Sequence, residues 1–125
     1  MNRVKIKGKL PSLNEYINAC RRNRYAGAKM KQETEQLVGY QLGALRTIKS
    51  PVIIHFIWYE KTQRRDKDNV AAAKKFVLDA MQKTGKLPND NNRFIAGFTD
   101  SFIYGNEYGV EIIVEPITET RRGAG

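Results

Sequence analysis

Cysteine and histidine are nearly missing from this chain: Cys20 and His55 are the only ones in 125 residues. A lone cysteine excludes an internal disulfide and fits a reducing compartment. No run of about 18 apolar residues and no apolar N-terminal segment occurs. Both absences point away from secretion and membrane spanning, so the expected setting is the cytoplasm. Acids are scarce too, with 13 Asp+Glu against 22 Lys+Arg and a net charge of +9. What is present fits one folded domain. Hydrophobic residues make up 41% of the chain, and its length is enough for one core but too short for two. The domain is expected over residues 1–117. The tail 118–125, with Arg121, Arg122 and small residues, is expected to fray.

The positive excess is clustered. Arg21, Arg22, Arg24, Lys29 and Lys31 occur with no acid among residues 21–31. Lys61, Arg64, Arg65, Lys67, Lys74 and Lys75 crowd residues 61–75. Such patches favour phosphate binding through counterion release and long-range steering. The plain alternative is a basic surface with no partner. Inside the second cluster lies Arg64-Arg65-Asp66-Lys67-Asp68-Asn69. Placing two scarce carboxylates one residue apart needs a reason. A hard cation such as Mg²⁺, which prefers oxygen ligands, would relieve their repulsion.

Periodicity sketches the fold. Val4 to Lys7 alternates like a short strand, and Leu10-Pro11-Ser12-Leu13-Asn14 then breaks regular structure. Residues 14–29 read as a long basic loop, with room for a short helical turn, ending near Gly27. From about Ala28 to Ile48, Met30, Leu37, Val38, Leu42, Leu45 and Ile48 recur at mostly helical spacing. Val52 to Tyr59 is β-branched and aromatic, which predicts a central strand. His55 within it reads as a packed strand residue. Asp68 or Asn69 would cap a helix to about Lys83 with a core stripe of Val70, Ala73, Val77 and Met81. Gly85 fits the position just past its end. Phe94–Tyr104 and Val110–Glu115 read as two antiparallel strands joined around Gly105-Asn106. The order β-α-β-α-β-β predicts a mixed α/β domain, with two main helices packed on a small mixed sheet.

At the end of a strand, Asp66 and Asp68 would point to one side and share a metal. Asp90, in the loop after the following helix, is the candidate third ligand. Read structurally instead, Asp68 is a helix cap, Asp66 a salt-bridged surface acid and Asp90 a turn residue.

Arg65-Asp66-Lys67-Asp68-Asn69, followed by Leu78-Asp79-Ala80-Met81 and Asn89-Asp90, resembles the RusA family of Holliday-junction resolvases. That family has an Asp-x-Asp-Asn motif, a helix ending near Asp-Ala-Leu, and a loop with a third metal-binding Asp. Leu10-Pro11-Ser12-Leu13-Asn14 with Tyr16 is similar to its Pro-Ser-x-Asn entry segment. The resemblance spans most of the chain, from the first strand to the final hairpin. It implies that Asp66, Asp68 and Asp90 hold Mg²⁺, or Mn²⁺ in its place. The family's catalytic lysine, four residues before the Asp of Asp-Ala-Leu, falls on Lys75. The departure is about three extra residues between Asp68 and that lysine. Seven residues are two helical turns, so the two still share a face, about 10 Å apart along the axis. Lys74 is the second candidate, expected to lie nearer the core stripe.

The resemblance further implies a homodimer that resolves four-way DNA junctions by paired symmetric nicks in recombination and repair. Arg21, Arg22, Arg24, Lys29, Lys31, Arg64, Arg65 and Lys67 are the candidate DNA contacts, and Tyr16 and Tyr25 could stack on unpaired bases. Two competing readings are a less selective branched- or flap-DNA endonuclease and a non-enzymatic nucleic-acid-binding module.

Overall fold

A computed structural model describes residues 2–89 and 93–117. The elements are β1 (Asn2–Lys7), α1 (Leu13–Arg22), α2 (Arg24–Gly39), β2 (Val52–Glu60), α3 (Lys67–Ala71), α4 (Lys74–Lys83), β3 (Ile95–Tyr104) and β4 (Gly109–Pro116). They form a mixed α/β unit whose four-stranded sheet has the order β1-β4-β2-β3. β2 runs antiparallel to β4 and parallel to β3. No helix among the described residues is long and apolar enough to cross a membrane. The tail 118–125 lies outside the described residues.

β2 is central because its residues serve two surfaces. Val52, Ile54, Phe56 and Trp58 are buried in the main core with Val38, Leu42, Val77 and Met81 of the helical side. The intervening Ile53, His55, Ile57 and Tyr59 are half-buried on the other face. His55 there bonds Thr99 and Glu115, at 2.6 and 3.0 Å. The final two strands differ from the expected hairpin: β2 lies between β3 and β4. The four-residue link 105–108 passes the end of β2, where the Gly105 amide donates to the Glu60 carbonyl at 2.9 Å. Parallel pairing of β3 with β2 needs a long crossover, and α3 with α4 supplies it.

Residues 14–29 are two helices meeting at the extended Asn23 rather than a long loop. Ser12 caps α1 in a reciprocal box with Glu15, and Asn23 caps α2 through the Ala26 amide at 2.7 Å. Gly27, expected near the end of that loop, lies inside α2. A Cβ there would stand 2.5 Å from the Cys20 sulfur, so glycine is what lets α2 pack closely on α1. α2 stops at Gly39, short of the expected Ile48. Beyond it, turns closed by Leu42 N to the Gly39 carbonyl and Leu45 N to the Leu42 carbonyl send Leu42, Leu45 and Ile48 into the core at every third residue.

The expected single helix from Asp68 to Lys83 is two. Bonds three residues apart, from Lys75 N to the Ala72 carbonyl and Phe76 N to the Ala73 carbonyl, tighten the chain between α3 and α4. Each tightened step turns the chain by about 20° more than an α-helical one. The expected stripe Val70, Ala73, Val77 and Met81 is nonetheless fully buried. Gly85 follows the cap at Thr84 with φ +78°, the left-handed turn expected of it.

Candidate functional site

The site begins where β2 ends. Glu60 is its last residue and only 3% exposed. A buried carboxylate needs a partner, and Arg65 supplies a fork: Nε to Oε1 at 2.9 Å and Nη2 to Oε2 at 2.7 Å. The third guanidinium nitrogen donates to the Leu10 carbonyl at 2.8 Å and to Glu15 at 3.0 Å. One side chain therefore ties the end of β2, the β1–α1 connection and the capping box of α1 to the residue before Asp66. Arg65 was a candidate DNA contact; the structure commits its donors within the protein. Glu15 is held below its ordinary range. Burial opposes its charge, but the Ser12 amide and hydroxyl and Arg65 together outweigh that.

Asp66 occupies the N-cap position of α3, yet its side chain makes no capping bond. Asp68 lies in the first turn rather than capping it. The remaining described acids are matched with bases. Glu15 and Glu60 pair with Arg65, Glu33 with Lys29, and Glu35 with Lys31 and Lys83. Asp79 pairs with Lys31 and Lys75, and Asp100 with Lys74. Glu107 pairs with Lys5, Glu111 with Arg3, and Glu115 with the His55 ring. Among the described acids, Asp66 and Asp68 alone have neither an ion pair nor a side-chain hydrogen bond, and both are exposed. In a chain of charge +9 this is the reverse of what surface electrostatics favours. Neither structural reading of the pair, cap or salt-bridged acid, describes them. Two exposed carboxylates without cationic partners fit a hard cation chemically.

Asp90 lies outside the described residues, and no group of three metal-ligating side chains forms among those described. The Val52 amide bonds the Phe94 carbonyl at 2.9 Å, so the chain after Asp90 re-enters the sheet at the first residue of β2. Asp66 and Asp68 follow its last. Those two ends are about 27 Å apart along the strand.

The two lysines face different ways. Lys74 is 20% exposed and turned towards β3: its ammonium is 2.8 Å from Asp100 and lies over the Phe98 and Phe56 rings at 4.8 and 5.3 Å. Its ammonium end is thus held by β3 and the Phe56 ring. Trp58 Nε1 donates to the other Asp100 oxygen at 2.8 Å. Lys75 is 68% exposed and 3.3 Å from Asp79. Lys67 lies over the Phe102 and Tyr104 rings, and Arg64 is exposed.

Arg21 and Arg22 form the last turn of α1 and Arg24 opens α2, all three exposed, with Tyr25 74% exposed beside them. Lys29 and Lys31 continue along α2, each near a carboxylate at 3.9 Å. Tyr16 is partly buried, its ring 5.3 Å from Phe76 edge to face. Glu60, Glu15 and Asp100 were not singled out in the sequence, and Asp79 entered only as part of the Leu78-Asp79-Ala80-Met81 motif. Only Glu15 had a local signal, the Ser12-x-x-Glu15 capping pattern.

Comparison of the chain with protein-family models gives no match, and comparison with curated proteins gives none either.

Proposed function

We propose that this protein is a Mg²⁺-dependent, structure-specific DNA endonuclease of the Holliday-junction resolvase type, working in the cytoplasm as a homodimer. The observation that carries this reading is the exposed, unpartnered Asp66 and Asp68 within a strongly basic chain. Asp66 and Asp68 would hold the cation, with Asp90 as the third ligand that the family resemblance implies. When bound, the ion supplies Lewis acidity towards a phosphate oxygen and a more acidic water.

The chain's own groups do the rest. Arg65 holds the loop against Glu60, so that both carboxylates keep their place when phosphate approaches. Lys75 offsets charge on the phosphate as it becomes the transition state. Arg21, Arg22 and Arg24 grip flanking backbone, a contact that orients the DNA without reading its sequence. A two-fold dimer would match two symmetric nicks.

The test is a synthetic four-way junction beside a linear duplex and a flap of the same sequence, each with Mg²⁺, Mn²⁺ or chelator. Paired nicks in the junction alone, dependent on the metal, are expected. Equal cutting of all branched forms would mean a less selective nuclease. Tight binding without cutting in either metal would leave a nucleic-acid-binding module.

A further inference from the structure

Past Gly39 the chain buries Leu42, Leu45 and Ile48, and that three-residue spacing leaves Gly43, Ala44, Arg46, Thr47 and Lys49 outside. Two distant residues hold this turn in place. The Asn2 side chain brackets the Arg46 backbone, donating to its carbonyl at 3.0 Å and accepting from its amide at 2.7 Å. The Lys86 carbonyl accepts the Ile48 amide at 2.8 Å, and the Lys86 ammonium lies 3.4 Å from the Gly43 carbonyl. Between these supports lies a cavity of about 610 Å³ whose lining includes Asn2, Gly43, Arg46, Thr47, Lys49 and Lys86.

Among its lining residues are three cations and no acid. Every described acid but Asp66 and Asp68 pairs with a base other than these three. Glu115 lines an adjoining cavity with Arg46 and Lys49, but its carboxylate bonds the His55 ring at 3.0 Å. Converging like charges without an acid are relieved by an anion. Arg46 offers a planar fork suited to phosphate oxygens, and the lysines add two point charges. No aromatic ring is among the lining residues, so a base has nothing to stack on. The chemistry selected is that of a phosphate. The cavity also lies far from the carboxylate pair. Asn2 pairs with Val114 and Val114 with Ile54, whereas Asp66 and Asp68 follow Glu60. Ile54 and Glu60 are about 20 Å apart along β2, the length of about six base pairs of duplex.

We infer that this cavity holds a backbone phosphate of a DNA arm, about six base pairs from the phosphate at Asp66 and Asp68. The inference takes its DNA from the nuclease reading above, but it is tested by binding rather than cleavage. The probe is a four-way junction with one uncharged methylphosphonate linkage at successive positions along each arm. It is titrated with the full chain in chelator across a salt series. Wild-type binding should weaken at a linkage about six base pairs out from the crossover. Replacing Arg46, Lys49 and Lys86 by Ala should abolish that response and weaken binding to the unmodified junction about tenfold. The slope of log affinity against log salt should fall by about 2 to 3, since each phosphate contact contributes about 0.9. A Cβ at Gly43 meets nothing within 4 Å, so Gly43→Glu adds a carboxylate to the lining without strain. It should act in the same direction.

A triple variant with the wild-type slope and linkage response overturns the inference. Should that variant melt early because Lys86 no longer meets Gly43, the Arg46→Ala, Lys49→Ala double variant and Gly43→Glu decide. Wild-type DNA binding by both overturns it. Inorganic phosphate is the other source of the same anion. Against chloride at equal ionic strength, it should leave the wild-type melting temperature unchanged. A rise that the triple variant lacks, with the DNA slope unaltered, assigns the cavity to free phosphate and overturns the DNA contact. Cleavage in Mg²⁺ with an unaltered slope removes the contact and keeps the nuclease. The full slope and linkage effects without cleavage remove the nuclease and keep the contact.

Discussion

Arg65 and Glu60 form a two-point bond across only five residues of sequence, at 2.9 and 2.7 Å, with the Glu60 carboxylate almost wholly buried. The pair closes the turn from which Asp66 and Asp68 emerge. Removing one partner strands the other charge in the interior. Arg65→Ala should therefore cost about 3 kcal/mol, or roughly 10 °C in melting temperature. Arg65→Lys should recover only part, since one ammonium cannot replace the fork. Thermal denaturation of both variants measures this, and an unchanged Arg65→Ala melt would show that the bond adds no stability.

Asp66→Asn and Asp68→Asn should each abolish cleavage of a four-way junction while leaving junction binding intact or slightly tighter. Neither side chain supports another group, so melting temperatures should stay within about 0.5 kcal/mol of wild type in stability. Asp90→Asn should show the same loss if it supplies the third ligand. Single-turnover cleavage and a binding titration distinguish the two effects. Near wild-type cleavage by any one variant removes that residue from the metal site.

The lysines separate by the same pair of measurements. Lys75→Ala should slow cleavage strongly with a small effect on melting, because its exposed ammonium acts on the phosphate. Lys74→Ala should act on stability instead. It leaves Asp100 with Trp58 alone and uncovers the Phe56 and Phe98 rings, a loss of about 1–2 kcal/mol. Loss of activity at unchanged stability for Lys74→Ala, with Lys75→Ala active, would move the assignment one residue earlier.

Replacing Arg21, Arg22 and Arg24 by Ala should weaken DNA binding and flatten its salt dependence. Each arginine that contacts a phosphate contributes a slope of about 0.9 in log affinity against log salt. Binding isotherms across a salt series provide the slope. If it does not change, the α1–α2 turn does not contact the backbone.

Acid should loosen the β1–α1 connection through Glu15. Its carboxyl is depressed in the folded chain below its ordinary 4.5, so the stabilisation is complete above that value and is lost as pH falls through the folded one. Melting temperatures measured from pH 7 down to about 3 should fall less steeply for Glu15→Gln than for wild type. Parallel curves would show that Glu15 does not contribute to the acid response.

Local signals in the chain determined the central strand at Val52, the buried stripe from Val70 to Met81, the turn at Gly85 and the singling out of Asp66 and Asp68. Each is a matter of side-chain periodicity or of residues a few positions apart, which backbone geometry converts directly into structure. The helix at Leu13 was legible too, through the Ser12 and Glu15 capping box, but Pro11 and the basic residues that follow suggested a loop. Only the tertiary structure decided that β2 lies between β3 and β4, and that Arg65 turns inward to Glu60 and Leu10. It alone decided that Lys74 goes to Asp100 while Lys75 goes to Asp79, and that every described acid but Asp66 and Asp68 has a basic partner. The Lys74–Asp100 pair spans 26 residues and the Arg65–Leu10 bond 55. Spacing along the chain carries no information about such pairs, because they form only where packing of the apolar core brings distant segments together.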